Sequence, residues 1–464
     1  MIRNAARCVI GLACGSGVVA AADGDVDAGF GEDGIALVGN ESAGSPAITL
    51  QPDGRILLCD TTLDPNGDTR PDFMIARFEA DGRLDDSFGT SGRQTIDFEH
   101  GSDSCTGIAL QADGKVVLAG SSIASDGAHR FAIARLDDDG TPDTTFGIEG
   151  RITPHNLGGG NFDRASAVDI QADGRIVVAG SFDTETREKN LGVVRLTSDG
   201  SLDTSFGVDG AKSVPLVLDG RNLTSLAYAV AIDGRGFIVI AGEAGSTDFS
   251  GFASVRLLSD GSLDPEFGHE GVSLVGFDSD AAPAAAGASG LALQRDGKIV
   301  LAGYRTSSIF VPPLSNSDFA LARLMPDGSL DPGFGVDGRV VVPVDLIPRG
   351  LDRASEVIEL ADGKLIAVGT AWASDAWAAA VRVDRHGVPD QEFGESGVRT
   401  YRFSQATNFR FTDVVPGDRD VIVSGWANVP GISSDDFLAR LAYTIPDRMY
   451  ADGFEPPARL PGTE

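Results

Sequence analysis

The segment Asp64-Pro65-Asn66-Gly67-Asp68-Thr69-Arg70-Pro71-Asp72 sets oxygen side chains at positions 1, 3, 5 and 9 of a glycine-containing loop. A hard cation such as calcium wants several oxygens converging on one point, so Asp64, Asn66, Asp68 and Asp72 are the candidate calcium ligands. No other part of the chain repeats the pattern, and an Asn/Asp/Gly loop is also an ordinary turn. Other chemistry finds less support. His100, His129, His155, His269 and His386 are scattered, and none stands at a zinc-binding spacing. Beyond the first 22 residues there is no Gly-x-Ser-x-Gly nucleophile motif. Gly287-Ala288-Ser289-Gly290 only approximates one, inside what reads as an Ala-rich connector. Asp137-Asp138-Asp139 sits at a turn, where solvated charge is the default. Asp163-Arg164 and Asp352-Arg353 each precede an inner strand and could reach a loop-rich face, although surface ion pairing is the simpler account.

The elements that must carry these residues follow from a repeat. Asp-x-x-Phe-Gly-x-x-Gly occurs seven times, with its phenylalanines at Phe30, Phe88, Phe146, Phe206, Phe267, Phe334 and Phe393. Self-similarity at a nearly fixed period marks a repeat architecture. Between two boxes lie short alternating runs, as in Arg93 to Phe98, Thr106 to Gln111, Lys115 to Gly120 and Phe131 to Leu136, joined by turns such as Asp113-Gly114 and Asp139-Gly140. Period-2 runs bounded by Asp-Gly read as hairpins, and no segment keeps a helical spacing. Four strands per unit repeated around an axis are the blades of a β-propeller. The expected fold is therefore all-β: seven blades of four antiparallel strands.

The box itself has an architectural explanation. Its Asp accepts backbone hydrogen bonds in a turn, its Phe fills the space between blades, and its glycines allow positive φ or close backbone approach. Each unit also carries an Arg: Arg77, Arg135, Arg195, Arg256, Arg323, Arg382 and Arg440. The first six stand eight residues before Asp85, Asp143, Asp203, Asp264, Asp331 and Asp390. A charge-assisted hydrogen bond across the turn is expected for each pair. Asp27 has no preceding Arg and Arg440 no following box. The two complement each other if the strand Ile35-Ala36-Leu37-Val38 forms the outer strand of the last blade and closes the ring.

The boxes from Leu84 to Arg93, Asp113 to Gly120 and Ala134 to Leu136 recur in register over about residues 25 to 442 and resemble the delta-60 repeat of bacterial secreted and surface proteins. The resemblance implies a β-propeller and no particular activity. The Asp64 to Asp72 spacing is likewise similar to calcium loops in integrin-type propeller blades. The segment Asp452-Gly453-Phe454-Glu455 resembles a short terminus found on exported proteins of some proteobacteria.

Domain boundaries and compartment follow. Residues 1–22 read as a signal peptide: Arg3 and Arg7, an apolar stretch from Cys8 to Val19, then Ala20-Ala21-Ala22. The propeller is expected over 23–445 and a tail over 446–464. The formal charge is −31, and loss of Arg3 and Arg7 with the leader makes it −33. Such a surface repels nucleic acid and anionic lipid. Cys59 and Cys105 remain after cleavage, either paired or as two separate thiols. Phe, at 24 residues against 3 Trp and 5 Tyr, favours buried packing over exposed aromatic platforms. The expected protein is exported, has no transmembrane segment and is periplasmic, cell-surface or extracellular. Its expected role is a non-enzymatic scaffold presenting loops to a protein or a glycan. The alternatives are a propeller-face enzyme (a lyase, a lactonase or a quinone-type oxidoreductase) and a purely structural envelope component. An enzyme would need unrepeated polar residues from several blades meeting in one place.

Overall fold

The computed structural model describes residues 22–443 except 40–43, 64–69, 99–100, 155–156, 158, 278–283, 307–315, 348–349, 404–405, 418–419 and 431–433. The expected leader up to residue 21 and the tail with Asp452 to Glu455 lie outside these residues. No described helix is long and apolar enough to cross a membrane.

Seven antiparallel sheets form, one per blade. Blade 2 is representative: Ser102–Leu110 is innermost, followed by Val116–Ile123, His129–Leu136 and the short outer strand Arg151–Ile152. The box thus lies between the third and the outer strand. The innermost strands touch in a closed circle, with that of blade 7 (Thr407–Pro416) against that of blade 1 (Ala47–Leu50). Blade 4 departs from the expected four strands. Leu216–Leu218 folds back on the start of Arg221–Ile232 and makes its sheet five-stranded.

Ring closure is as expected. Ile35–Leu37 pairs with Asp435–Ala442, in the order first strand of the chain, then the third, second and innermost strands of blade 7. Arg440 Nε donates to Asp27 Oδ2 at 2.9 Å. Apolar packing falls into clusters that each join neighbouring blades, including blade 7 with blade 1 through Phe30, Ala36, Met74 and Leu438. The core is therefore a set of wedges between blades.

The box is a compact device. In blade 1, Arg77 Nε donates to Asp85 Oδ2 at 2.7 Å while Asp85 Oδ1 accepts the Ser87 N–H at 3.0 Å. The Arg77 guanidinium also lies 4.6 Å over the buried Phe88 ring. Burial alone would raise the Asp85 pKa; the Ser87 and Arg77 hydrogen bonds outweigh it and hold the carboxyl at about 2. Gly92 has φ 85°, and a Cβ there would stand 2.4 Å from Leu84 Cγ, so both conformation and space demand glycine.

A further contact links the blades in sequence. Arg77, Arg135, Arg195, Arg256 and Arg323 each donate Nη1 to a backbone carbonyl in the next blade, at Asp138, Ser198, Ser259, Pro326 and Arg385. Arg440 does the same to Ala80 across the closure. In blade 6, Arg382 Nη1 instead meets the Asp23 carboxylate at 2.8 Å. Residues near the start of the described chain thus fill the one place where the pattern changes.

Candidate functional site

In blades 1 to 6 the innermost strand ends, and the second begins, at a tight turn closed by a glycine N–H. Because neighbouring strands are antiparallel, those turns share one end of the blade with the boxes. The starts of the innermost strands and the ends of the second strands occupy the opposite end. There the repeat fails.

The register makes this comparable from blade to blade. The second-strand position after Gly120, Gly180, Gly242, Gly303, Gly369 and Gly425 holds Ser121, Ser181, Glu243, Tyr304, Thr370 and Trp426. Facing these on the innermost strands are Ser104, Arg164, Leu226, Gly287, Arg353 and Arg410. A β-bulge follows on each of these strands, and its extra residue is Thr106, Ser166, Tyr228, Ser289, Ser355 or Thr412. Blade 4 alone places a phenol in this hydroxyl position.

Blades 4 to 6 meet through these substitutions. The Tyr228 hydroxyl donates to Glu243 Oε1 at 3.2 Å, and the Tyr304 hydroxyl to Glu243 Oε2 at 3.4 Å. The exposed Arg353 lies 4.1 Å over the Tyr304 ring. Gly287 provides the room: a Cβ there would be 2.5 Å from Glu243 Oε2 and 3.1 Å from Tyr304 Cε1. Burial first, and the Glu243 charge second, push both phenol pKa values up. Both tyrosines are held as protonated donors.

Blades 6 and 7 carry a second constellation. The Arg410 guanidinium lies 5.1 Å from both the Trp372 and the Trp426 rings. Among the described residues no carboxylate pairs with it, and its buried Nε has no hydrogen-bond partner. Burial pushes its pKa down. Trp377 pairs with Ala371 and so lies on the opposite face of the strand pair from Trp372, with Nε1 on Asp375 Oδ1 at 3.1 Å and Arg402 over its ring.

Deeper along the innermost strands, acids tie one blade to the next. Asp169 accepts N–H groups from Ile170 and from Ile232 of blade 4. Glu356 accepts from Val357 and Leu291, and Asp413 from Val414 and Ile48. Burial, followed by the Asp413 charge, raises the Glu356 pKa, and burial raises that of Asp413.

Of the four expected calcium ligands, Asp64, Asn66 and Asp68 lie outside the described residues. Asp72 is buried at the start of the third strand of blade 1 and is grouped with Asp97 and Asp103. Their oxygens lie within 4.8 Å of one another. Asp318, Asp345 and Asp352 form a matching group between blades 5 and 6. Burial pushes Asp103 and Asp352 up to about 6 each.

Two expectations need correction. Gly287-Ala288-Ser289-Gly290 is not in a connector but in the innermost strand Ala285–Leu293. The Asp163-Arg164 and Asp352-Arg353 neighbours do not form surface ion pairs. Asp163 instead accepts the Asp183 N–H, Asp352 accepts those of Trp372 and Asp345, and both arginines turn away. The cause is that successive residues of an extended chain point to opposite faces. The unrepeated groups described above sit mainly on strands. Cys59 and Cys105 are two free, buried thiols in the wedge between blades 1 and 2.

Tyr228, Glu243, Tyr304, Trp372, Arg410 and Trp426 escaped the sequence reading. Aligning the units on the second-strand glycine exposes several of them, since Ser and Thr give way there to Glu, Tyr and Trp.

The closed ring of sheets defines a seven-bladed β-propeller. Residues 51–88, 111–146, 171–206, 236–267 and 294–334 match the family described as a domain of unknown function (DUF5122) beta-propeller. Five segments of the chain are thus similar to repeats of a β-propeller family of unknown function. No curated protein matches the sequence. Among solved structures, a protein of unknown function from Dyadobacter fermentans is 13% identical, with TM-score 0.43, over 89% of this chain and 98% of that one. A polysaccharide lyase, ulvan lyase, is 11% identical with TM-score 0.48, over 88% and 95%. A glucose dehydrogenase is 17% identical with TM-score 0.39, over 75% and 98%. These likenesses are of fold alone.

Proposed function

We propose that this protein is an exported, non-enzymatic propeller that binds a glycan at the end of blades 4 to 7 opposite the boxes. One observation carries the reading: aromatic residues with polar handles gather at that end, as Tyr228, Tyr304, Trp372, Trp377 and Trp426, among arginines and a carboxylate. Such rings offer flat apolar faces for sugar C–H groups while neighbouring polar atoms meet hydroxyls. The phenylalanines, by contrast, are mostly packed between blades.

Binding fits better than the lyase, lactonase or quinone-type alternatives. A base must be poised to take a proton near the working pH. In the blade 4 to 6 cluster Tyr228 and Tyr304 are held protonated and Glu243 is engaged by both, while Asp103 and Asp352, raised to about 6, are fully buried and accept backbone N–H groups. Thermal-shift and calorimetric screening against oligosaccharides tests the proposal. A saccharide should raise Tm, Tyr304→Ala should abolish that rise, and the saccharide should be recovered intact. Release of a cleaved or oxidised product would favour the enzyme reading.

Calcium at the Asp64 to Asp72 loop is a separate proposal. Calorimetry should register calcium binding that Asp72→Asn removes; no heat in the unaltered protein would dismiss it.

A further inference from the structure

We infer that the glycan carries an acidic substituent, a carboxylate or a sulfate ester, and that Arg410 is the residue that reads it. The inference rests on the saccharide-binding reading above and names the ligand class.

Arginines at the two ends of the blades are treated differently. At the box end, Arg77, Arg135, Arg195, Arg256, Arg323 and Arg382 are each matched by an Asp of the same blade. At the other end, Arg164, Arg353 and Arg410 occupy one equivalent register position on the innermost strands of blades 3, 6 and 7. None of the three has a carboxylate partner among the described residues. This occurs in a chain whose acids outnumber its basic residues by 68 to 37. Carboxylates are abundant, yet this layer leaves its cations unmatched.

Arg410 is the most specific of the three. Trp372 and Trp426 flank its guanidinium at 5.1 Å, which holds the planar group in one orientation. Its Nε is buried and lacks an acceptor. A planar or tetrahedral oxyanion can take two parallel N–H bonds from such a fork. Arg410 is partly buried, and a charge-assisted bond gains in strength as the surroundings become less polar than water. The net negative charge of the molecule does not forbid an anion here. At physiological ionic strength screening acts over about 8 Å, so the nearby unmatched arginines set the local field. Arg353, stacked on Tyr304, extends the positive character toward the blade 4 to 6 cluster. One saccharide chain lying across both constellations would meet stacking rings and a cation at each.

The test uses the mature chain and its Arg410→Gln and Arg410→Lys variants, each checked by near-UV circular dichroism and Tm. Binding is measured for oligogalacturonate, dextran sulfate oligosaccharide, neutral dextran of equal length and sodium sulfate. An acidic oligosaccharide should bind about tenfold or more tightly than dextran, as expected for loss of a charge-assisted bidentate contact. Arg410→Gln should erase that preference with the fold intact, and Arg410→Lys should restore part of it. Preference for oligogalacturonate identifies the carboxylate form, and preference for dextran sulfate the sulfate form. Equal binding of acidic and neutral chains, lost on Tyr304→Ala, would overturn the inference while leaving the saccharide reading standing. Acidic preference unaltered in Arg410→Gln would overturn the role of Arg410. Sulfate binding without any saccharide binding would overturn the saccharide reading and this inference with it.

Discussion

The two ends of the same strands solve opposite problems with the same residue type. At the box end each arginine is nearly inaccessible, between 1 and 5% exposed in blades 1 to 6, and is paired with an aspartate, an aromatic ring and usually a carbonyl of the next blade. At the other end Arg164, Arg353 and Arg410 carry no acid partner among the described residues. The first arrangement pairs each arginine with an aspartate and recurs around the ring, with blade 6 the variant, where Arg382 meets Asp23 and its Nη2 is buried without a hydrogen-bond partner among the described residues. The second is incomplete and differs from blade to blade. The repeated Arg–Asp pairing is architecture; the unmatched arginines in unrepeated positions are what the proposed recognition rests on.

The comparison can be broken most forcefully at the box end. Arg195→Ala strips the buried Asp203 of its buried cationic partner and leaves it only Arg175, 39% exposed, at 2.8 Å; breaking a buried pair costs about 3–5 kcal/mol. Urea denaturation should show a loss of that order, and a cost below about 1 kcal/mol would mean that the box is not what holds the blades. At the recognition end, Gly287→Ala should reduce saccharide affinity about tenfold or more, because a Cβ would displace Glu243 and Tyr304. Its Tm should change far less than that of Arg195→Ala, whereas unchanged affinity would sever Gly287 from the site.

The third prediction concerns pH. Asp85 and Asp203 have folded pKa values lowered to about 2, so their contribution is present above the unfolded value near 4 and is lost as pH falls through about 2. Asp103 and Asp352 have folded values raised to about 6. For these two the native state binds the extra proton, so stability declines as pH rises from about 4 to about 6 and stays reduced above. Glu356 acts in the same direction, and Glu356→Gln keeps a carbonyl acceptor for Leu291 and Val357 without the charge. The variant should gain about 1 kcal/mol at pH 8, the scale of one pKa unit, with little change at pH 4. Equal Tm values for the two proteins across that range would show that Glu356 is ionised at no cost.

The smallest effect belongs to the closure. Arg440 and Asp27 form the same pair chemically, but their side chains are 23% and 39% exposed. Water screens them, and Arg440→Ala should cost only about 0.2–1 kcal/mol. A loss as large as that of Arg195→Ala would mean that the seam, rather than burial, sets the value of the pair.

Blade number, strand order and closure were legible because the box is local and recurs: Asp27 without an arginine and Arg440 without a box are enough to close the ring. The recognition end was not, because its partners come from different units. Glu243, Gly287 and Arg353 are far apart in sequence and meet only once blades stack. The scarcity of Tyr and Trp read as a lack of aromatic platforms, yet five of the seven among the described residues, Tyr228, Tyr304, Trp372, Trp377 and Trp426, stand at the end where the innermost strands begin. Asp352-Arg353 looked self-satisfied in one dimension, and the pleat of the strand separates the two.

The closure has a mechanical consequence. Gly24 donates its N–H to Ala442 O, and Ala442 donates back to Asp25 O, so both ends of the described chain leave the same corner of blade 7. A load applied between those ends would peel Ile35–Leu37 from its neighbour one hydrogen bond at a time rather than shear the strand along its length. The three-residue ladder, the Val26–Leu441 bridge and the Asp27–Arg440 contacts would oppose that motion in turn. The ring should be easiest to open under tension where it is tied, and a crosslink between the two ends would shift the yielding point to another blade.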